Sequence, residues 1–283
     1  MRFLLVPTLT SVALLAFAAN SVLTRAALAG TSIDPVTFSA VRVASGALVL
    51  WFIVRIRASA VEGRGSWLSA LALFGYAIAF SLAYRSLTAA TGALLLFGAV
   101  QVTMIGWGVF RGERLALFQW LGVLLALAGL VWLLLPGLAA PPPGAAALML
   151  SAGVAWGVYT LRAKGVDDPT GVTAENFARA ALPAVGLALI FATRLTWDWL
   201  GLSLAIASGA LASGLGYAVW YAALKHISTP TAAVSQLTVP VITALAGVLL
   251  LAEPLSWPTI AGGACIIGGV ALVTRARGRR TAR

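Results

Sequence analysis

Eight aromatic side chains stand inside apolar runs of this chain at spacings that align them along helix faces, and four amides stand inside such runs beside them. Tyr76, Phe80 and Tyr84 recur every four residues, so one helical face carries all three. Tyr217, Trp220 and Tyr221 form a second stripe, and Trp156 and Tyr159 stand three apart on another run. Asn20, Gln101 and Gln236 are the amides, each donor and acceptor at once, and Asn176 is a fourth of the same kind. The chemistry of such a set is recognition: rings pack against an apolar group while amides and hydroxyls hold a charged or zwitterionic head. The same residue types also build interfacial belts and glue helices together, and Tyr84, Trp220 and Tyr221 near run ends suit a belt equally well.

Catalytic constellations are missing. With one histidine (His226) and one cysteine (Cys265), the chain has no His-Glu-x-x-His and no Ser–His pair, and it lacks a His/Cys metal site. No cofactor is expected. Both lysines, Lys164 and Lys225, lie at run ends, where no retinal Schiff base forms. The eight carboxylates are Asp34, Glu62, Glu113, Asp167, Asp168, Glu175, Asp198 and Glu253, and all avoid the run centres. Glu175 stands one helical turn before Arg179, which predicts an ion pair. Either Arg42 or Arg179 could bind a substrate carboxylate, but structural readings are favoured for both. Arg42 has no such neighbour and lies near the outer end, where it is expected to snorkel toward the membrane face. Glu113 and Glu253 read as helix-start residues facing a positive dipole end.

These side chains need elements that hold them in an apolar solvent. The composition is 61% hydrophobic and 10% charged, against roughly 25% charged in a soluble domain. Water would not tolerate so few charges on a surface of this size, whereas bilayer hydrocarbon does. Runs of about 20 residues, enough to cross hydrocarbon, recur near 4–24, 36–55, 66–86, 90–110, 115–135, 144–162, 174–194, 199–222, 230–251 and 255–274. Their connections are short, with Pro141-Pro142-Pro143 the one proline-rich linker. The first run imitates a cleavable signal peptide, but the repeat described below gives it a mid-chain counterpart, so a retained helix is expected.

The net charge of +11 sits between the runs and in a basic tail, so it serves topology and lipid contact rather than nucleic acid. With both termini cytoplasmic, fourteen Lys/Arg fall inside and three, Arg25, Arg85 and Arg194, outside. Arg42 and Arg179 fall within runs.

The chain also repeats itself. Arg25, Arg42, Tyr84 and Leu87 recur as Arg162, Arg179, Tyr221 and Leu224, displaced by 137 positions. Glu113, Leu115, Gly122 and Gly129 recur as Glu253, Leu255, Gly262 and Gly269, displaced by 140. Five runs per unit is an odd number, so the second copy enters the membrane upside down. The expected fold is therefore an all-α membrane protein of ten transmembrane helices, as two inverted five-helix repeats (1–138 and 139–283) around a central cavity. Such symmetry provides two access states around one site. Small residues on one face of the fifth run (Gly122, Ala126, Gly129) and of the eighth (Ala205, Gly209, Ser213) predict close helix approach.

This pattern resembles the drug/metabolite transporter superfamily, in particular its ten-helix EamA-type transporters and, within them, the YddG-like amino-acid exporters. The features that carry it are the Arg early in the second helix of each half, Tyr-x-x-Leu closing the third, and Glu-x-Leu…Gly…Gly across the fourth and fifth. The resemblance implies helices 1–4 and 6–9 as a basket around the cavity, with 5 and 10 peripheral. It also implies export of amino acids, aromatic or apolar ones foremost, from a bacterial inner membrane, by a monomer or weak homo-oligomer. Drugs or other small metabolites are the alternative cargo. Without a buried carboxylate to carry protons, facilitated transport or exchange is expected. A channel or an intramembrane enzyme fits the pattern less well.

Overall fold

A computed structural model describes the backbone of residues 2–57, 64–112, 114–135, 140–163, 166–227, 232 and 235–281. Glu62, Glu113, Lys164, the expected repeat boundary at 138/139 and the side chains of the basic tail lie outside the described residues.

Ten helices account for almost all of it, with no strand among the described residues. They are α1 (Arg2–Gly30), α2 (Pro35–Ile56), α3 (Trp67–Tyr84), α4 (Ala89–Phe110), α5 (Leu117–Leu134), α6 (Pro143–Ala163), α7 (Pro169–Ile190), α8 (Trp199–Leu224), α9 (Thr238–Leu251) and α10 (Trp257–Thr281). Their starts are written locally. Asp34, Ser66, Thr88, Asp168 and Asp198 each accept a backbone N–H of the first turn, and Pro35 and Pro169 occupy first helical positions that need no donor.

Eight of the helices are long and apolar enough to cross a membrane. The exceptions are α9, at 14 residues, and α7, whose first half carries Glu175, Asn176 and Arg179. Helix α7 packs against α2 and α3, so its polar residues face protein rather than lipid. Outward faces carry Trp51, Phe52, Phe118 and Leu249, the surface expected of a chain solvated by hydrocarbon.

Packing follows the inverted repeat. Helix α6 of the second half lies against α3 and α4 of the first, and α1 of the first half lies against α8 and α9 of the second. Helices α2 and α7 pair with each other, as do α5 and α10. The last pair stands at the periphery and touches the remainder chiefly through α4. Its contact is backbone to backbone: Gly122 lies on the Gly269 carbonyl and Gly129 on the Gly262 carbonyl, where a Cβ would collide.

Two local expectations are corrected. Helix α1 continues to Gly30, so Arg25 sits in a helix rather than in a connection; the chain stays helical because nothing breaks it before Gly30. Helix α8 is not regular, because Ala207–Leu215 is π-helical. The wider turn rotates its later residues away from the face a regular helix gives them.

Candidate functional site

The centre of the site is the hydroxyl of Tyr76 on α3. It accepts from Asn20 Nδ2 on α1 at 3.1 Å and from an Arg42 terminal nitrogen on α2 at 3.0 Å. Asn20 Oδ1 in turn accepts from Ser208 Oγ at 2.7 Å, at the start of the π-helical segment of α8. Four helices from both halves thus meet in one buried hydrogen-bond chain.

Around it runs a continuous set of rings. Tyr76 lies 5.0 Å from Trp156 and 5.2 Å from Phe80, and Phe80 meets Tyr84 edge-on at 4.7 Å. Trp156 stacks on Tyr159 and on Tyr217, both at 5.3 Å. Tyr217 touches Phe17 at 5.6 Å, and Phe17 meets Trp220 at 5.7 Å. The hydroxyls of Tyr159 and Tyr221 share Thr173 on α7.

Of the residues singled out in the sequence, Asn20, Tyr76, Phe80, Tyr84, Trp156, Tyr159, Tyr217 and Trp220 join this network. Tyr84 is its outermost ring: it packs over Gly92 and its hydroxyl reaches the Ala89 carbonyl. Gln101 is buried and Gln236 half-buried, and neither is tied to the rings by a hydrogen bond among the described residues. Asn176 caps another element, accepting from the Ser66 amide.

Sequence spacing missed Phe17, Ser208, Thr173 and Phe177, whose ring meets Tyr217 edge-on at 5.9 Å. Ser208 gave no signal, because a regular helix turns Ala205, Gly209 and Ser213 inward instead. Arg42 is a plain correction. It does not snorkel: it is 3% exposed, with its guanidinium 5.1 Å from the Tyr76 ring centre and 5.0 Å from that of Phe80. Helix α8 lies so close at Gly209, against the Arg42 carbonyl, that Arg42 is covered from that side.

The two ends of the helix basket differ. At one end Arg25 Nε binds Glu253 Oε1 at 2.7 Å and its terminal nitrogen reaches the Tyr84 and Arg85 carbonyls. The α1–α2 and α7–α8 connections are clipped together there by Asp34 with Thr196 and by Asp198 with Ser32. Hydrogen bonds from the Gly201 amide, then from Ser32, hold the Asp198 carboxyl down to about 2. Glu253 also accepts from the Ala89 amide, so it faces the positive end of α4 rather than of its own helix. At the other end a cavity of about 130 Å³ opens among Arg64, Ser66, Ser69, Arg162 and Asn176, with Tyr159 in its wall. Among the described residues no three His, Cys, Asp or Glu gather to hold a metal ion.

The basket is thus all-helical, with a polar–aromatic centre, tied together by hydrogen bonds at one end and hollowed at the other. A profile of the EamA-like transporter family matches residues 6–135 and again 144–275. The chain belongs to that family. This EamA-like transporter, a multi-pass membrane protein of the drug/metabolite superfamily, is 54% identical over 276 residues to an uncharacterized protein of Pseudomonas aeruginosa, covering 97% of this chain and 96% of that one. It is 30% identical to an uncharacterized transporter of Archaeoglobus fulgidus over 86% of this chain and 88% of the relative. The threonine/homoserine exporter RhtA of Salmonella typhimurium is 31% identical over 153 residues, about half of either chain (52% and 51%). A solved crystal structure superposes with a TM-score of 0.69 over 94% of this chain and 98% of its own, at 22% identity, which shows the fold.

Proposed function

We propose that this EamA-like transporter moves amino acids across a bacterial inner membrane, outward in the cell, by alternating access around the Tyr76–Trp156–Tyr217 centre. The observation that carries the reading is the pairing of a ring cluster with the Ser208–Asn20–Tyr76 hydrogen-bond chain. Rings suit an apolar side chain, and the amide and hydroxyls suit a zwitterionic head. The name of the RhtA relatives supports the same cargo class. Asn20, Tyr76, Phe80, Trp156, Tyr159 and Tyr217 are the contact residues of this reading, with Tyr84 and Trp220 at its margins. Gln101 and Gln236 stay candidates on their placement in α4 and before α9 alone.

Lysine and arginine counts support a cytoplasmic Arg162 end, and in this reading the cavity faces the cell interior and the Arg25–Glu253 end is the closed exit. The carboxylates Asp34, Glu175, Asp198 and Glu253 are all engaged by hydrogen bonds near helix ends, which supports facilitated transport or exchange rather than proton coupling.

The test is uptake of a labelled amino-acid panel into proteoliposomes, with and without a pH gradient. Saturable flux, insensitive to the gradient and lost in Trp156→Ala, is the expected result. Absence of flux for every amino acid from folded protein overturns the cargo and turns the screen to drugs and other small metabolites.

A further inference from the structure

Arg42 is the strongest electrostatic anomaly in the molecule. A guanidinium stays charged and carries five N–H donors, so burial is costly unless an anion meets it. Arg42 is 3% exposed, yet its company is a phenol and two ring faces. One terminal nitrogen binds the Tyr76 hydroxyl, and the other, itself buried, has no hydrogen-bond partner among the described residues. Asp34, the carboxylate on the same stretch of chain, is occupied with the first turn of α2 and with Thr196.

The internal repeat sharpens the point. Arg179 occupies the equivalent place in the second half and is neutralised by Glu175 at 3.0 Å, one turn earlier on α7. At the displacement of 137 that relates the two arginines, the position matching Glu175 in the first half is Phe38. The first half thus keeps the cation and lacks its built-in carboxylate.

A series of ring contacts links the cavity to it. Tyr159 lines the cavity at the Arg162 end, Trp156 stacks on Tyr159, and Tyr76 lies next, holding Arg42. The mouth of the cavity is itself cationic, with Arg64 and Arg162.

We infer that Arg42 is the anion subsite of the transport centre: its guanidinium receives the carboxylate of the cargo, and Trp156, Tyr76 and Tyr217 enclose the rest. This inference rests on the transporter reading above and narrows its cargo to carboxylates. The cargo enters past Arg64 and Arg162, the Tyr159 and Trp156 rings part, and the unpartnered nitrogen of Arg42 takes one carboxylate oxygen. The Tyr76 hydroxyl, freed to donate, takes the other. Charge-assisted binding of this kind discriminates a carboxylate from an isosteric carboxamide.

The test is counterflow in proteoliposomes of the full chain with labelled L-leucine and L-threonine. Their carboxamides and their desamino acids serve as competitors. The wild type is expected to be inhibited by the desamino acids about tenfold more strongly than by the carboxamides. Arg42→Gln is expected to erase that preference, and Arg42→Lys to keep part of it. Flux of either amino acid with amide and acid competing equally overturns the anion subsite and leaves amino-acid transport standing. That outcome is read on the wild type, so a poorly folding variant does not shield the inference. A preference that persists in Arg42→Gln overturns it as well. If neither amino acid moves, labelled 4-methylpentanoate is assayed directly. Flux of this acid, lost in Arg42→Gln, upholds the carboxylate subsite while the amino-acid cargo falls, and no flux overturns both.

Discussion

Arg25 and Glu253, 228 positions apart in the chain, form an ion pair at 2.7 Å with side chains only 18% and 12% exposed. The pair ties α1 of the first half to the α9–α10 connection of the second. Through Glu253 it also holds the amino end of α4, and through Arg25 the carboxyl end of α3. One bond therefore closes four elements at this end of the basket.

Removing either partner strands a largely buried charge. Glu253→Gln, which keeps an acceptor for the Ala89 amide, is expected to cost about 1–3 kcal/mol. Glu253→Ala, which also orphans that amide, costs more. Thermal unfolding in detergent checks the order, and the Arg25→Met/Glu253→Gln double variant should be milder than the sum of its parts.

Tyr76 is the common acceptor of Asn20 and Arg42. Tyr76→Phe keeps the ring and its packing but leaves two buried donors short of a partner. The expected loss is about 1–3 kcal/mol for each donor left unmet, read as a lowered melting temperature. Phe80→Tyr adds no such deficit and is not a substitute for the missing hydroxyl.

Close approach of α2 and α8 requires Gly209, since a Cβ there meets the Arg42 carbonyl and Ser45 Oγ. Gly209→Ala must push the two helices apart and is expected to cost about 1–3 kcal/mol. Gly186 on α7 has open space around its position. Gly186→Ala is expected to be neutral or to stabilise by up to about 1 kcal/mol. The comparison of the two melting temperatures separates helix contact from helix propensity.

Orientation is checked with cysteines introduced in a Cys265→Ala background. Trp197→Cys, beside exposed Trp199 in the α7–α8 connection, is expected to react with a membrane-impermeant thiol reagent in intact cells. Arg64→Cys, at the cavity mouth, should react only after the membrane is opened. The reverse pattern inverts the topology.

The seven rings that gather in the structure were legible because rings spaced by three or four must share a helix face, and Asn20 only as an amide inside an apolar run. Gln101 and Gln236 carried the same kind of signal, yet no bond joins them to the cluster, since an amide in an apolar run says nothing of which neighbour its helix meets. Arg42 was visible as a charge without a local partner. Its distance from the membrane face looked short enough for snorkelling, but the close crossing of α8 at Gly209 leaves the side chain no way outward.

Hydropathy, the internal repeat and the small-residue face of α5 could be read from the chain itself, because they depend on what each residue is and on periods that a helix imposes, whereas the peripheral place of α5 and α10 was implied by the family resemblance. The π-helical stretch at Ala207–Leu215, the hydrogen bond it allows from Ser208 to Asn20, and the pairing of Arg25 with Glu253 were decided only by tertiary structure. The two side-chain contacts join residues far apart in the chain, and their energies exist only once helices from both halves have packed and excluded water and lipid from between them.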